Sequence, residues 1–424
     1  MKKNILVFPC GSEIGLDIHN SVKYSTHFHL IGASSVDDHG MFVYDDYIPS
    51  VPFITDADFI PAIRSIVQER SIDAIYPTMD SAISVLKANE KELGCIVIAS
   101  PQETSSVCLS KTETYRLLQD TVHVPFRYDP KQTIQFPVFL KPDIGYGGRG
   151  TTLANNHAEL AQALSRRTDL LVLEYLPGEE YTVDCFTDRK GDLLYAAARK
   201  RNRIKGGISV NTFFVDNQDE FQEIARKINS ALTFRGAWFF QMKRDRANRL
   251  CLLEVASRIG GSSLLSKAKG VNLALMSLFD AFDIDVNLQI NSGYHVTLDR
   301  ALDNCYRCEG LSFRNVYVDY DDCLILDKSY VNTELIRFLY KCRNDKKKLI
   351  LLSKHIGDLN EELRSFRLDS LFDKVIHIND NENKCDYIDS QDSIFIDDSY
   401  AERERVKQFW GIPVFGPEMI EILL

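Results

Sequence analysis

F-P-V-F-L-K-P-D-I-G-Y-G-G-R-G-T, residues Phe136 to Thr151, is the stretch on which the reading of the chain turns. An apolar run ends at Lys141, and Gly145, Gly147, Gly148 and Gly150 follow within six residues. Glycine takes positive φ without steric cost and lets backbone N–H groups approach a ligand. Successive N–H groups in such a loop form a concave nest for anionic oxygens, and Lys141 adds a point charge suited to phosphate. Gly145, Gly147 and Gly150 spell G-x-G-x-x-G, a weak signal alone. A dinucleotide fold needs a helix directly after the glycines, whereas Thr151–Asn156 reads as a short strand and a turn. The glycines therefore read as the tip of a β-hairpin over a phosphate. In a protein-kinase loop the lysine follows the glycines, and H-R-D and D-F-G come later; here the lysine precedes them and neither motif occurs. Taken alone, the stretch also fits a flexible turn beside an incidental lysine.

The 424 residues leave room for two to four domains with ample core. A content of 45% hydrophobic and 26% charged residues is that of an ordinary soluble protein. The formal charge of −10 argues against general binding to nucleic acid or anionic membranes, leaving only local basic clusters. No apolar run approaches the roughly 18 residues of a membrane span. The start, M-K-K-N-I-L-V-F-P-C, has too short an apolar run for a signal peptide, so a cytoplasmic location is expected. The ten cysteines are scattered, most in apolar runs, as small core residues in a reducing compartment. Cys305 and Cys308 form the one close pair, without the second pair that a zinc site needs. His27 and His29 read as structural.

Residues 1 to 105 alternate strands (Ile5–Phe8, Phe28–Gly32, Ala74–Pro77, Cys95–Ala99) with helices (Phe59–Glu69, Ser81–Leu93), the pattern of a βαβ domain with a parallel sheet. Gly11 and Gly15 lie in the first turn, but no complete G-x-G-x-x-G occurs there. A small substrate is therefore expected at the sheet's carboxyl edge, near Thr78 and Asp80. Ser110–Glu113 caps a helix over Thr112–Gln119. After the glycine hairpin come a helix (Ala158–Arg166) and a strand (Leu170–Tyr175) whose tail reads E-Y-L-P-G-E-E-Y-T-V-D, Glu174 to Asp184. Paired strands Val183–Phe186 and Leu193–Ala198 end in the basic run R-K-R-N-R-I-K-G-G, Arg199 to Gly207. That run suits an anionic ligand or a solvated hairpin tip. A helix (Glu220–Leu232) and strands Trp238–Lys243 and Leu250–Val255 lead into A-S-R-I-G-G-S-S, with a helix from Asn272.

Taken in order, these pieces resemble the ATP-grasp superfamily over residues 105 to about 290, and the preceding βαβ unit resembles the domain that usually comes first. The resemblance implies an α/β chain with a pre-ATP-grasp, Rossmann-like domain over residues 1–105 and an α+β ATP-grasp domain over 106–300. It implies that Lys111, Lys141 and the loop glycines Gly147 and Gly148 hold the phosphates of ATP. Glu174 and the backbone of Tyr175 and Leu176 would meet adenine, and Glu180 the ribose hydroxyls. Gln241 and Glu254, thirteen residues apart on neighbouring strands, would hold Mg²⁺, which takes only one or two ligands from protein. Arg258 follows on the same loop, where a guanidinium can hold a carboxylate or acyl phosphate bidentately. The family usually has asparagine two residues after the metal-binding glutamate; Ala256 stands there instead, which puts a second Mg²⁺ in question.

The last third reads as five strands. Asn315–Ile325 ends in Asp319 and Asp321, Leu349–Leu352 runs to Ser353, and Phe372–Ile378 has Lys384 beyond it. Ile394–Ser399 ends in Asp397 and Asp398, and Ile412–Phe415 closes the set. An acidic strand end alone is most often a cap or a turn, but an open α/β sheet builds its site at such ends. With D-x-D-D-x-L in the first strand, the order resembles the haloacid dehalogenase-like (HAD) phosphatase superfamily, with Cys323 where threonine is common. The resemblance implies a Rossmann-like domain over 312–424, in which Asp319 is a nucleophile and Asp321 an acid and base. Ser353 and Lys384 would hold the transferring oxygens, with Mg²⁺ on Asp319 and Asp397; Lys374 is a weaker candidate for the lysine role. Between Ile325 and Lys348 there is room for one helix and no cap domain.

The combined expectation is a ligase using ATP and Mg²⁺ to join a small-molecule carboxylate to an amine through an acyl phosphate, fused to a phosphatase for a phosphorylated metabolite. The alternatives are a small-molecule kinase or a carbamoyl phosphate synthase-like enzyme, with the C-terminal domain as a scaffold. Neither nucleic acid nor membrane is an expected partner, and homo-oligomerisation is left open.

Overall fold

The computed structural model describes residues 2–145, 147–301, 306 and 310–424. The Cys305 and Cys308 pair lies outside the described residues. The chain divides into two compact units, Met1–Leu302 and Asp303–Leu424. No helix of the described residues is long and apolar enough to cross a membrane.

The first unit begins with a parallel sheet in the order Tyr47–Ile48, Phe28–Ala33, Lys3–Phe8, Ala74–Pro77, Ile96–Val97. Its central strand is buried on both faces, as parallel sheets are. Strand alternation sends Leu6 and Phe8 against Phe59, Ile63 and Val67 of the helix Phe59–Glu69. Ile5 and Val7 go the other way, into a core that continues through Ile18 to Phe186 and Ala237 of the next sheet. Full burial of such side chains stabilises by about 2 kcal/mol each, and this shared core makes the unit one body. The helix expected over Ser81–Leu93 is two, Asp80–Ala88 and Glu90–Leu93. Asn89 breaks it: its side chain donates to the Val85 carbonyl at 2.8 Å, so local bonding competes with the helix ladder.

The remainder of the unit holds two antiparallel sheets. One orders Thr152–Ala154, Val138–Pro142 and Leu170–Glu174. The other orders Leu250–Ala256, Gly236–Arg244, Glu180–Thr187, Leu193–Lys205, Ile208–Phe214 and Thr297–Asp299. The basic run is therefore mostly strand, with its turn at Gly206 and Gly207, because the strand from Leu193 continues to Lys205. Trp238, Phe240 and Met242 bury one face of the six-stranded sheet against Phe221, Ala225 and Ile228 of the helix Asp219–Ala231. By period-two alternation Phe239, Gln241 and Lys243 emerge on the opposite face, which lines a cavity.

The second unit is a parallel sheet in the order Lys374–His377, Lys348–Ser353, Asn315–Val318, Ser393–Ile396, Val414–Phe415. The strand expected over Asn315–Ile325 stops at Val318; Ile325–Leu326 pairs instead with Tyr330–Val331 in a small hairpin. Asp322, with φ +49°, turns the chain out of the sheet. One helix, Thr333–Asn344, precedes the next strand, and it buries Leu335, Phe338 and Leu339 against Val316 and Val318.

Candidate functional site

In the first unit a cavity of about 800 Å³ lies against the sheet face carrying Phe239, Gln241 and Lys243, a size suited to a nucleotide and a small acceptor. Lys111, Lys141, Gly147, Gly148, Glu174, Tyr175, Leu176, Glu180, Gln241, Glu254 and Arg258 all line it. Strand pairing brings them together: Gln241 stands directly opposite Glu254 on the neighbouring strand.

Lys141, next to last in its strand, is almost fully buried, and its ammonium donates to the Tyr115 hydroxyl at 2.7 Å and the Leu253 carbonyl at 2.8 Å. Burial pushes its pKa down to about 8, with the Glu254 carboxylate opposing. An ammonium has three N–H groups, and two of them are engaged among the described residues. Lys111, first residue of its helix, donates to the carbonyls of Asp143 at 3.2 Å and Gly145 at 3.3 Å. Asp143, which sequence reasoning did not single out, sews that helix to the base of the glycine loop. It accepts from the Thr112 N–H at 2.7 Å and the Ser110 hydroxyl at 2.8 Å. Partial burial raises the Asp143 pKa, but these hydrogen bonds outweigh it and hold the carboxyl below its usual range.

Gly147, Gly148, Gly206 and Gly207 all have positive φ, and the two turns touch. A Cβ on Gly207 would lie 2.0 Å from the Gly147 carbonyl oxygen, so only glycine permits the approach. At the strand end Glu174 accepts from the Phe126 N–H at 2.8 Å with one oxygen. Glu180 sits between Arg201, at 3.1 Å, and Lys243, at 3.5 Å. Arg258 is already engaged: Nε and Nη2 hold both carboxylate oxygens of Asp80, at 3.0 and 2.8 Å, and Nη1 donates to the Ile259 carbonyl. Each Nη keeps a second N–H. Ala256 is buried and pairs across the sheet with Phe239.

In the second unit the carboxyl ends of three strands and a short 3₁₀ turn converge. Lys384 places its ammonium 2.8 Å from Asp319 Oδ1 and 2.6 Å from Asp397 Oδ2. All three side chains are buried, as is Ser353 at the end of its strand. Burial pushes Asp319 up, with Lys384 opposing, and burial together with Asp319 pushes Asp397 up to about 7. Desolvation works against the Lys384 ammonium, but the two carboxylates outweigh it and raise its pKa. Oxygens of Asp319, Asp397 and Asp398 lie within 4.8 Å of one another, a hard-oxygen set suited to Mg²⁺. Asp321 pairs with His355 Nδ1 at 3.0 Å, a partner the sequence did not suggest. Lys374 is exposed at the amino end of its strand, away from this edge. Cys323 packs in the core.

Residues 166–298 match the model of a family described as ATP-grasp in the biosynthetic pathway with Ter operon. The chain is 29% identical over 187 residues to the arginine-specific large chain of carbamoyl phosphate synthase from Lactiplantibacillus plantarum, covering 40% of this chain and 18% of that one. It is 25% identical over 141 residues to D-alanine–D-alanine ligase from Thermotoga petrophila, covering 30% of this chain and 46% of that one. The chain thus spans less than half the length of either relative. The biotin carboxylase domain of 2-oxoglutarate carboxylase from Hydrogenobacter thermophilus, solved with ADP, magnesium and bicarbonate, superposes with a TM-score of 0.59. That match is at 16% identity over 70% of this chain and 74% of that one. Residues 166–298 are thus similar to an ATP-grasp family, and 70% of the chain shares its fold with a carboxylase domain solved with ADP and magnesium.

Proposed function

We propose that the first unit is an ATP-dependent carboxylate–amine ligase. The observation that carries it is the pair of tethered ammonium groups, Lys111 and Lys141, beside the facing residues Gln241 and Glu254 in one cavity. The lysines and the loop N–H groups would bind the triphosphate, with Glu174 and the Tyr175–Leu176 backbone at adenine and Glu180 at the ribose. Gln241 and Glu254 would hold Mg²⁺, which neutralises phosphate charge. Arg258, fixed by Asp80, would present its remaining N–H groups to the substrate carboxylate. A carboxylate oxygen attacks the γ-phosphorus, the bond to the ADP oxygen breaks, and an amine then displaces phosphate from the acyl phosphate. Catalysis is then mainly positioning and charge neutralisation. The relatives named above include enzymes of this chemical kind, which supports the reading. Hydroxylamine as the amine tests it: ADP release with formation of an acyl hydroxamate is expected for some carboxylate in a broad panel, and ADP release with none rejects it.

For the second unit we infer HAD-type phosphatase chemistry, supported by Lys384 bridging Asp319 and Asp397. Asp319 would attack phosphorus as the ester P–O bond breaks, and Asp321, steadied by His355, would give the leaving oxygen its proton and then take one from water. Asp319 and Asp397 would hold Mg²⁺. The substrate is a phosphorylated metabolite of the ligase half, since fusion raises the effective concentration between steps. Phosphate release from such esters by the wild type is the test.

A further inference from the structure

The basic run Arg199 to Gly207 divides by strand alternation as far as Arg201 and by register shifts on either side of Arg203 beyond it. Lys200 and Arg203 pair with Glu179 and Asp299 near the surface. Arg199 and Arg201, two residues apart and so on one face, turn into the cavity with side chains only 1% and 6% exposed. Arg201 is bound to Glu180 and so belongs to the half of the cavity proposed for the nucleotide.

Arg199 is different. Its Nε donates to Asp184 Oδ2 at 2.8 Å, and its Nη2 to Asp184 Oδ1 at 3.3 Å and the Gly261 carbonyl at 2.6 Å. Its Nη1, with two N–H groups, is buried and has no partner among the described residues. A buried donor pair without an acceptor is costly and calls for an explanation. Gly260 packs against the clamped edge of the same guanidinium, where a Cβ would lie 2.9 Å from Asp184 Oδ1 and 3.2 Å from Arg199 Nη2. The same Cβ would meet the Phe239 ring at 3.3 Å, and the Arg258 guanidinium lies over that ring, 5.2 Å from its centroid. The two arginines therefore flank Phe239, each clamped on its Nε–Nη2 edge by an aspartate and each with N–H groups to spare.

Resting on the ligase reading, we propose that the carboxylate substrate is at least a dianion. One carboxylate is activated at Arg258, and a second anionic group, carboxylate or phosphate, is held by Nη1 of Arg199. Planar guanidinium groups suit both anions.

Calorimetry on the full chain with MgADP tests this, using succinate and 3-phosphonopropionate against butyrate. At least one diacid should bind tenfold or more tighter than butyrate, and which one does so tells carboxylate from phosphate. Arg199→Lys keeps a cation against Asp184 but removes the Nη1 pair, and should bring the ratio below threefold. If that variant fails to fold, Gly260→Ala, whose methyl would press on the Asp184–Arg199 clamp and shift the guanidinium out of place, should lower the ratio in the same way. A wild-type preference under tenfold, or a preference surviving in the folded variants, overturns the proposal. The hydroxamate assay reads the ligase assignment separately: hydroxamate without diacid preference rejects only the dianion site, and diacid preference without hydroxamate rejects only the ligase.

Discussion

Arg258 grips Asp80 across 178 residues of sequence, two hydrogen bonds of 3.0 and 2.8 Å joining the end of the six-stranded sheet to the carboxyl edge of the N-terminal sheet. The aspartate takes one edge of the guanidinium and so fixes where the other points. On the ligase reading, the position of the substrate carboxylate would thereby be set by the first residue of the helix Asp80–Ala88.

Asp80→Asn should loosen that hold. The KM for the carboxylate is expected to rise about tenfold, the size of a lost charge-assisted contact, with the KM for ATP within twofold. Steady-state ADP release measures both, and equal rises in the two constants would count against a positioning role.

Lys141→Ala should weaken ATP binding at least tenfold, about 1.4 kcal/mol. The wild type should show a pH dependence from the same group. With a pKa near 8 in the free protein, the ammonium is charged below that value and loses its proton as pH rises through it. ATP affinity should fall about tenfold between pH 7.5 and 9.5, and the fall should vanish in Lys141→Arg. Calorimetric titrations across that range decide it; a flat wild-type profile would show that Lys141 does not meet phosphate.

Glu254→Gln should leave the fold intact and abolish ADP formation at saturating Mg²⁺, because a neutral amide replaces the carboxylate facing Gln241. Ala256→Asn restores the side chain usual in the family, and a faster enzyme would mean that the missing oxygen had limited the rate. Turnover surviving in Glu254→Gln would move the metal elsewhere.

Lys384→Met strands Asp319 and Asp397 in the core of the second unit without a cation. Removing one partner of a buried ion pair costs about 3–5 kcal/mol, and calorimetric melting in EDTA should register that loss in the second unit. Added Mg²⁺ should recover part of it by binding the folded form. Asp319→Asn should abolish phosphate release and the capture of beryllofluoride expected of the wild type. If that variant also stopped ligation, the second unit would be a scaffold.

Much of this was legible in the chain. The patterns around Trp238–Lys243 and Leu250–Val255 gave adjacent strands, but Gln241 and Glu254 were singled out through resemblance, and the register that sets them opposite is a feature of the fold. Lys384 was legible only through resemblance, since nothing local shows that a 3₁₀ turn will carry it between two strand-end aspartates. Pairings between distant segments were hidden altogether. Asp184 reads as one more strand residue, yet it clamps Arg199; His355, two residues past Ser353, meets Asp321. The overlong strand at Asn315–Ile325 has a similar cause: apolar residues after Asp322 bury themselves in a hairpin rather than the sheet, and hydropathy does not separate the two.

The meeting of Gly147 and Gly207 has a kinetic consequence. Where the two turns line the cavity, Gly147 and Gly207 meet backbone to backbone among the described residues, and the Arg201 guanidinium holds the Gly207 carbonyl at 2.6 Å from within its own hairpin. Parting the two glycines at that contact takes small changes in glycine dihedrals, a motion of the nanosecond-to-microsecond class of loops. Nucleotide exchange through this roof should be fast relative to chemistry. Gly207→Ala, which wedges a methyl group against the Gly147 carbonyl, should hold the roof ajar, and stopped-flow traces should show ADP leaving no more slowly than from the wild type while the ATP Kd rises.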